Sequence, residues 1–276
     1  MGAGDGEILE CLFRLQFLRR VCDSDPVTPS DSTDPERRTR QAASFGAAAA
    51  AYERGRPSYP PAALDWLLPA NARTVLDLGA GTGKLSRSLV ARGLATIAVD
   101  PSEPMLAELR RTAPEVDARL GRAEEIPLPD GSVDAVLVAQ AWHWVDPARG
   151  LPEVHRVLRP GGTFGLAWNT RDNRTPWVAE LSAIVAGPDW LEAKVEVPGQ
   201  LFTCVERAEF SWTDHLSRAD LLDMVASRSY VIIAPEHERE ATLQRVADLV
   251  DRHPDLPGAT GIPLPYVTVA LRSVRQ

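Results

Sequence analysis

The residues Thr74-Val75-Leu76-Asp77-Leu78 run straight into Gly79-Ala80-Gly81-Thr82-Gly83-Lys84-Leu85, an apolar strand followed by a glycine-rich turn and the start of a helix. Glycine at 79 and 81 lets a backbone bend sharply and approach a ligand where any Cβ would collide, and Gly83 permits close packing as the helix begins. A turn of this kind at the carboxyl end of a strand is a ligand loop. The dinucleotide fingerprint G-x-G-x-x-G requires glycine at 84, where Lys84 stands. The phosphate loop G-x-x-x-x-G-K-[ST] requires glycine at 78 and a hydroxyl at 85, and Leu78 and Leu85 occupy those places. Asp77 would set its negative charge against a pyrophosphate, but it would welcome an ammonium. Asp100 closes the next apolar run, Ile97-Ala98-Val99, 21 positions after Gly79. That is the place of a carboxylate that grips the two hydroxyls of a ribose.

Further along, Gln140, Ala141, Trp142 and His143 follow the apolar run 133–139. Open α/β sheets bind ligands at that edge. His143, flanked by Trp142 and Trp144, has two readings. It is a general base that takes a proton from an acceptor, or a hydrogen-bonded packing histidine. An acceptor that is already ionised at pH 7 needs no base. The three cysteines, Cys11, Cys22 and Cys204, match neither a disulfide framework nor a zinc-ligand spacing. No metal site is expected, and a reducing, cytoplasmic location is.

These residues need strands and helices in alternation to bring them together. Apolar runs of strand length lie at 74–78, 95–99, 116–120, 133–139 and 163–168, and helical segments at 84–92, 102–112 and 148–158 separate them. Gly93 and Pro160-Gly161-Gly162 are the stops, and Ser102 is a candidate N-cap. This rhythm implies a parallel sheet covered on both faces. After Asn169 come a helix at 176–186, a strand at 205–212, two helices and a closing strand at 266–271. The two helices, inserted between the sixth and seventh strands, would cover the open end of the sheet as a lid. Residues 23–40 are polar and Pro-interrupted, so 1–40 reads as a disordered leader, and a helix at 41–53 opens the ordered part.

Composition narrows the function. The chain has 276 residues, enough for one sizeable core, and no stretch approaches the roughly 18 consecutive apolar residues that a membrane span requires. A formal net charge of −8, with Lys84 and Lys194 as the only lysines, argues against a nucleic-acid surface. The expected partner is a small molecule, and oligomeric state has no signature here. The turn, Asp77 and Asp100 together describe a nucleoside that carries a cationic amine and no phosphates. S-adenosylmethionine is such a molecule.

On these residues the chain resembles the class I S-adenosylmethionine-dependent methyltransferases over about 44–276. The resemblance rests on VLDLGAGTGKL at 75–85, VDPSEPML at 99–106, the stretch 121–146 and the run EVHRVLRPGGTFGLAWN at 153–169. Trp142-His143-Trp144, the segment Tyr52 to Tyr59 and Ser227-Arg228-Ser229-Tyr230 are similar to the small-molecule branch that includes trans-aconitate methyltransferases. The resemblance implies a doubly wound, Rossmann-like α/β fold. Its sheet has seven mostly parallel strands with the last antiparallel, and it carries an N-terminal helical cap and a C-terminal lid insertion. It divides 41–276 into a cap at 41–70, a cofactor core at 71–172 and the remaining strands with the lid at 173–276. It also implies that Asp77, Gly79, Ala80 and Gly81 hold the methionine portion, Asp100 the ribose, Pro101 and Met105 the adenine face, and Ala123 and Glu124 its edge, with Gln140 beside them. Tyr52, Arg56, Trp142, Trp168, Arg228, Tyr230 and Tyr266 become acceptor or lid residues. Methyl transfer to an oxygen, nitrogen or sulfur is the implied reaction. An NAD-linked oxidoreductase and a non-catalytic cofactor-binding module are the alternatives.

Overall fold

Apolar runs that must hide both faces make central strands, and the computed structural model places them so. It describes residues 56–185, 200–203, 205–232, 234–256 and 261–276. The leader, the helix at 41–53 and Tyr52 lie outside the described residues. The chain enters through helix α1, Pro61–Leu67, whose first residue is a proline pre-set for a helix N-terminus. Strand β1, Thr74–Leu78, follows, then α2, Lys84–Val90, β2, Ala95–Asp100, α3, Glu103–Thr112, and β3, Asp117–Leu120. Strand β4, Val133–Ala139, leads through a 3-10 turn at Trp142–Trp144 into α4, Pro147–Val157, and β5, Leu158–Arg171. Helix α5 spans Pro176–Ile184 and β6 Glu206–Leu216. Helices α6, Arg218–Ala226, α7, Ser229–Ile232, and α8, Glu236–Arg252, precede β7, Ile262–Val274.

The strands form one sheet in the order β3-β2-β1-β4-β5-β7-β6. β1 pairs in parallel with β2 and β4, and β4 with β5, while β7 runs antiparallel to both of its neighbours. The expected fold is therefore present, including the reversed last strand. Chain order turns back between β1 and β4, which leaves a crevice at their carboxyl ends.

Two boundaries differ from the sequence reading for a physical reason. The Pro160-Gly161-Gly162 stop lies inside β5. Leu158 pairs with Val133, the register then shifts, and pairing resumes at Thr163, so these residues make a bulge within the strand. β7 begins before Tyr266, at Ile262, although Pro263 and Pro265 would ordinarily end a strand. In that stretch β7 pairs with β6 alone, so the missing N–H groups break no ladder on the β5 side.

Buried side chains cover both faces. Leu64 and Leu67 of α1 and Leu85 and Leu89 of α2 pack with Val75, Leu137, Ala167 and Ala270. Trp142, Leu151 and Val154 pack on the other face with Leu76, Val136, Phe164 and Trp168. A separate cluster joins Trp177, Leu181, Leu221, Met224, Val225, Val231 and Val246 to Ile262, Leu264 and Tyr266 at the start of β7. The segment expected as a lid forms a helical layer packed on β7 and β6. Among the described residues it holds three helices between β6 and β7 where the sequence suggested two. Ser217 starts its first helix with a capping box, its hydroxyl accepting from Asp220 N while the Asp220 carboxylate accepts from Ser217 N.

Candidate functional site

The crevice where the sheet order reverses encloses about 470 Å³, its open mouth included. Its walls are the turn after β1, the first residues of α2, Ala139 and Gln140 at the end of β4, Asn169 on β5, and Arg56, Pro57 and Tyr59 from the segment ahead of α1.

The turn is built as its glycines dictate. Gly79 has φ +76°, and a Cβ there would lie 2.5 Å from the Ala141 Cβ. The Gly79 and Ala80 amides both donate to Val99 O, which ties the turn to the end of β2. Gly81 has φ +55°, and a Cβ there would meet nothing within 4 Å. At that point the backbone borders open space that a ligand can fill. Gly83 has φ +86° and begins α2, and its missing Cβ would come within 2.8 Å of Leu109 Cγ. The glycine lets α2 and α3 close on each other.

Two carboxylates flank the turn. Asp77 is 1% exposed, and its Oδ2 accepts from Ser86 Oγ at 2.6 Å. Burial pushes its carboxyl up from 3.8 to about 7; the nearby Asp100 adds to the rise, and the Ser86 bond opposes it. Asp100 Oδ2 accepts from Gly81 N and its Oδ1 from Ser102 N, each at 2.8 Å. Burial raises its pKa as well, against those two backbone donors. Each Asp100 oxygen keeps a further lone-pair direction for a hydroxyl. Ser102 stands at the N-cap of α3 but makes no side-chain cap; its amide serves Asp100.

On the opposite wall Gln140 takes φ +59°, a left-handed backbone that is unusual outside glycine. Its Nε2 donates to Asn169 O at 3.0 Å. Asn169 is the hub of a buried network: Nδ2 donates to Ser58 O at 2.8 Å and Oδ1 accepts from Thr268 Oγ1 at 2.6 Å. Thr268 Oγ1 in turn accepts from Trp212 Nε1 at 2.9 Å. This chain crosses β5, β7 and β6 and fixes the segment that carries Arg56 and Tyr59.

His143 lies in the 3-10 turn after β4, its ring 4.8 Å from that of Trp144. Burial, and then the charge of Arg56, pull its pKa down to about 4, so the imidazole is neutral at pH 7. Arg56 Nη2 also reaches Ser227 O at 3.4 Å, which joins the crevice to the lid.

The structure brings Asp77, Gly79, Ala80, Gly81, Gln140 and Arg56 to the crevice wall. Trp142 and Trp168 pack elsewhere, both in the core of the α4 face, with Trp142 edge-on to Phe164 at 5.0 Å. Met105 and Ala123 are buried, and Glu124 Oε1 accepts from Asp146 N at the start of α4. Pro101 is exposed just after β2. Tyr266 lies under the lid helices, and Arg228 stands between α6 and α7. Tyr230 belongs to α7, and its side chain lies outside the described residues, as does all of Tyr52. Sequence reasoning missed Asn169 as a wall residue. The available signal was its place as the first polar residue after Leu166-Ala167-Trp168, at the same sheet edge as Gln140.

Comparison with known proteins agrees with this architecture. A family described as methyltransferase domain matches residues 76–166, the segment from β1 to β5. An uncharacterised methyltransferase of Mycobacterium tuberculosis is 59% identical over 231 residues, 83% of this chain and 95% of that protein. An uncharacterised methyltransferase-like protein of Schizosaccharomyces pombe is 35% identical over 237 residues, 82% of this chain and 93% of that protein. Among solved structures, one from Anaeromyxobacter dehalogenans assigned to the type II methyltransferases is 26% identical, with a TM-score of 0.60 over 80% of this chain and 97% of that one.

Proposed function

Since this chain belongs to the class I S-adenosylmethionine-dependent methyltransferases, we propose that it methylates an oxygen, nitrogen or sulfur of a small-molecule acceptor. The observation that carries the site assignment is the glycine turn between two buried carboxylates, open at Gly81. Asp77 suits an ammonium, Asp100 suits the two hydroxyls of a ribose, and Gly81 leaves room for backbone approach. When bound, S-adenosylmethionine supplies a methyl on a cationic sulfur that is already electrophilic.

The work left to the chain is alignment and exclusion of water. In this reading Asp77, Gly79, Ala80 and Gly81 hold the amino-acid end, and Asp100 holds the ribose. Pro101, Met105, Ala123 and Glu124 surround the adenine, with Gln140 completing the wall. Arg56 and Tyr59 close the crevice from the N-terminal side, held by Asn169. His143, neutral at pH 7 but weakly basic, positions the acceptor, and accepts a proton only from an acceptor atom that surrenders one readily. The Trp142-His143-Trp144 and Ser227-Arg228-Ser229-Tyr230 resemblance favours the branch that includes trans-aconitate methyltransferases. Tyr52, Arg228, Tyr230 and Tyr266 go to the acceptor side or its lid in this reading, whereas Trp142 and Trp168 belong to the core of the α4 face. A cytoplasmic setting and a domain over 41–276 go with this reading. Among the described residues no helix is long and apolar enough to cross a membrane.

Calorimetry with S-adenosylhomocysteine and with NAD tests it. Saturable binding of the former alone is expected, and binding of NAD alone would overturn the assignment. Asp100→Ala should weaken S-adenosylhomocysteine at least tenfold, because hydrogen bonds to a charged group are worth about 1.5–3 kcal/mol each. Release of S-adenosylhomocysteine in turnover with a panel of acids, phenols and thiols separates an enzyme from a binding module.

A further inference from the structure

Beneath the helices packed on β7 lies a polar atom out of place. Tyr266 is 1% exposed, and its hydroxyl is buried with no hydrogen-bond partner among the described residues. Burying an unsatisfied hydroxyl costs about 1–3 kcal/mol, which a fold tolerates where a ligand supplies the partner. The ring itself is firmly held, stacked on Trp212 at 5.2 Å and 22°. Only the hydroxyl lacks a structural task.

Cations converge on it. Arg171 is the register partner of Tyr266 across β5 and β7, so the two side chains share a sheet face, and its Nε is held by Ser182 Oγ at 2.9 Å. Arg228 is held over Met224 Sδ at 3.5 Å, and Arg56 reaches the carbonyl of the residue just before it, Ser227. Among the described residues the charges of Arg228, Arg171 and Arg56 act on the phenol, and the carboxylate of Asp214 opposes them. Burial outweighs the arginines and raises the Tyr266 pKa, so the hydroxyl stays a proton donor. A neutral phenol donor amid guanidinium groups is a complement for an oxyanion.

Position adds a constraint. Tyr266 is on β7, which β4 and β5 separate from the β1 turn, about 14 Å of sheet at ~4.8 Å per strand. Arg56 and Asn169 span the gap, since both line the crevice and both connect to the lid side. Resting on the methyltransferase reading above, we propose that Arg171, Arg228 and Tyr266 form an anchor for an oxyanion of the acceptor, several bonds away from the atom that receives the methyl. The acceptor is then an elongated anion, with a carboxylate or a phosphate monoester at one end.

Calorimetry on the full chain saturated with S-adenosylhomocysteine tests this. The probes are straight-chain carboxylates of increasing length, phosphate monoesters of the matching alcohols, and the matching primary amides. One or both anion series should bind and the amides should not, and the preferred series identifies the oxyanion. Arg171→Met and Arg228→Met should each weaken the anion about tenfold or more. Tyr266→Phe should weaken it several-fold without lowering the melting temperature, because the hydroxyl removed has no partner and the stacked ring remains. Retained S-adenosylhomocysteine binding shows that each variant is folded. Amides that bind as well as anions, or anion affinity unchanged in all three variants, overturn the anchor. A parent chain that fails to bind S-adenosylhomocysteine at all overturns the reading beneath it instead.

Discussion

The buried Asp77 carboxyl makes the stability of the empty protein depend on pH in the direction opposite to most surface carboxylates. Burial holds its pKa near 7 in the folded chain, against 3.8 for an ordinary aspartate. Below the lower value both folded and unfolded chains carry the proton, and the group costs nothing. Between the two values the folded chain keeps a proton that the unfolded chain releases, so stability falls as pH rises. Above about 7 the cost is complete. At about 1.36 kcal/mol for each pH step the whole interval corresponds to about 4 kcal/mol. Asp77→Asn removes the titration and keeps an oxygen for the Ser86 hydroxyl, so the gain of the variant over its parent isolates this one group. Between roughly pH 5 and pH 8 that gain should grow by about 3 kcal/mol. For a chain of this size that is roughly 6–12 °C of melting temperature. Scanning calorimetry of both proteins across the range reads it directly. The same carboxylate must lose its proton to meet an ammonium, so S-adenosylhomocysteine affinity of the parent should drop as pH falls below about 7, and Asp77→Asn should bind weakly at every pH. A gap between variant and parent that stays constant from acid to alkaline pH, or narrows, would refute the reasoning.

Other positions offer tests that need only two proteins each. Gly81 and Gly93 share a left-handed φ and open space for a Cβ, but only Gly81 borders the crevice. Alanine at either should cost about 1–2 kcal/mol of stability in chemical denaturation, while only Gly81→Ala should weaken S-adenosylhomocysteine, by tenfold or more. Equal binding by the two variants would remove Gly81 from the site. Asn169→Ala leaves the Thr268 hydroxyl and the Ser58 carbonyl short of a partner, at a cost of about 2–3 kcal/mol. Because Ser58 lies between crevice residues Pro57 and Tyr59, its S-adenosylhomocysteine affinity should fall several-fold as well; a stability loss with unchanged affinity would limit Asn169 to a structural role.

The two halves of the site differ in how far the sequence discloses them, and the reason is distance along the chain. The proposed cofactor half rests on short local patterns, the turn 77–83 and the strand end at Asp100. Gly79, Gly81 and Gly83 declare themselves because left-handed backbone selects for glycine, and Asp77 and Asp100 sit at the ends of strands whose apolar runs are continuous because both faces are covered. The same logic made seven strand segments readable along the chain and erred where local rules were overridden. Pro263 and Pro265 are tolerated where β7 pairs on one side only, and Pro160 to Gly162 are absorbed in a bulge. Trp142 and Trp168 look like pocket aromatics by their place at strand ends, but both are drawn into the core of the α4 face. The proposed acceptor half is set mainly by pairings between distant strands and segments. Asn169 meets Thr268 across 99 positions, Arg56 meets Ser227 across 171, and Arg171 meets Tyr266 only because β7 runs antiparallel beside β5. Nothing local marks those residues as a set. A glycine turn can therefore name a cofactor class from sequence alone, whereas the chemistry of the acceptor is written in register between distant strands and becomes visible only when the sheet is closed.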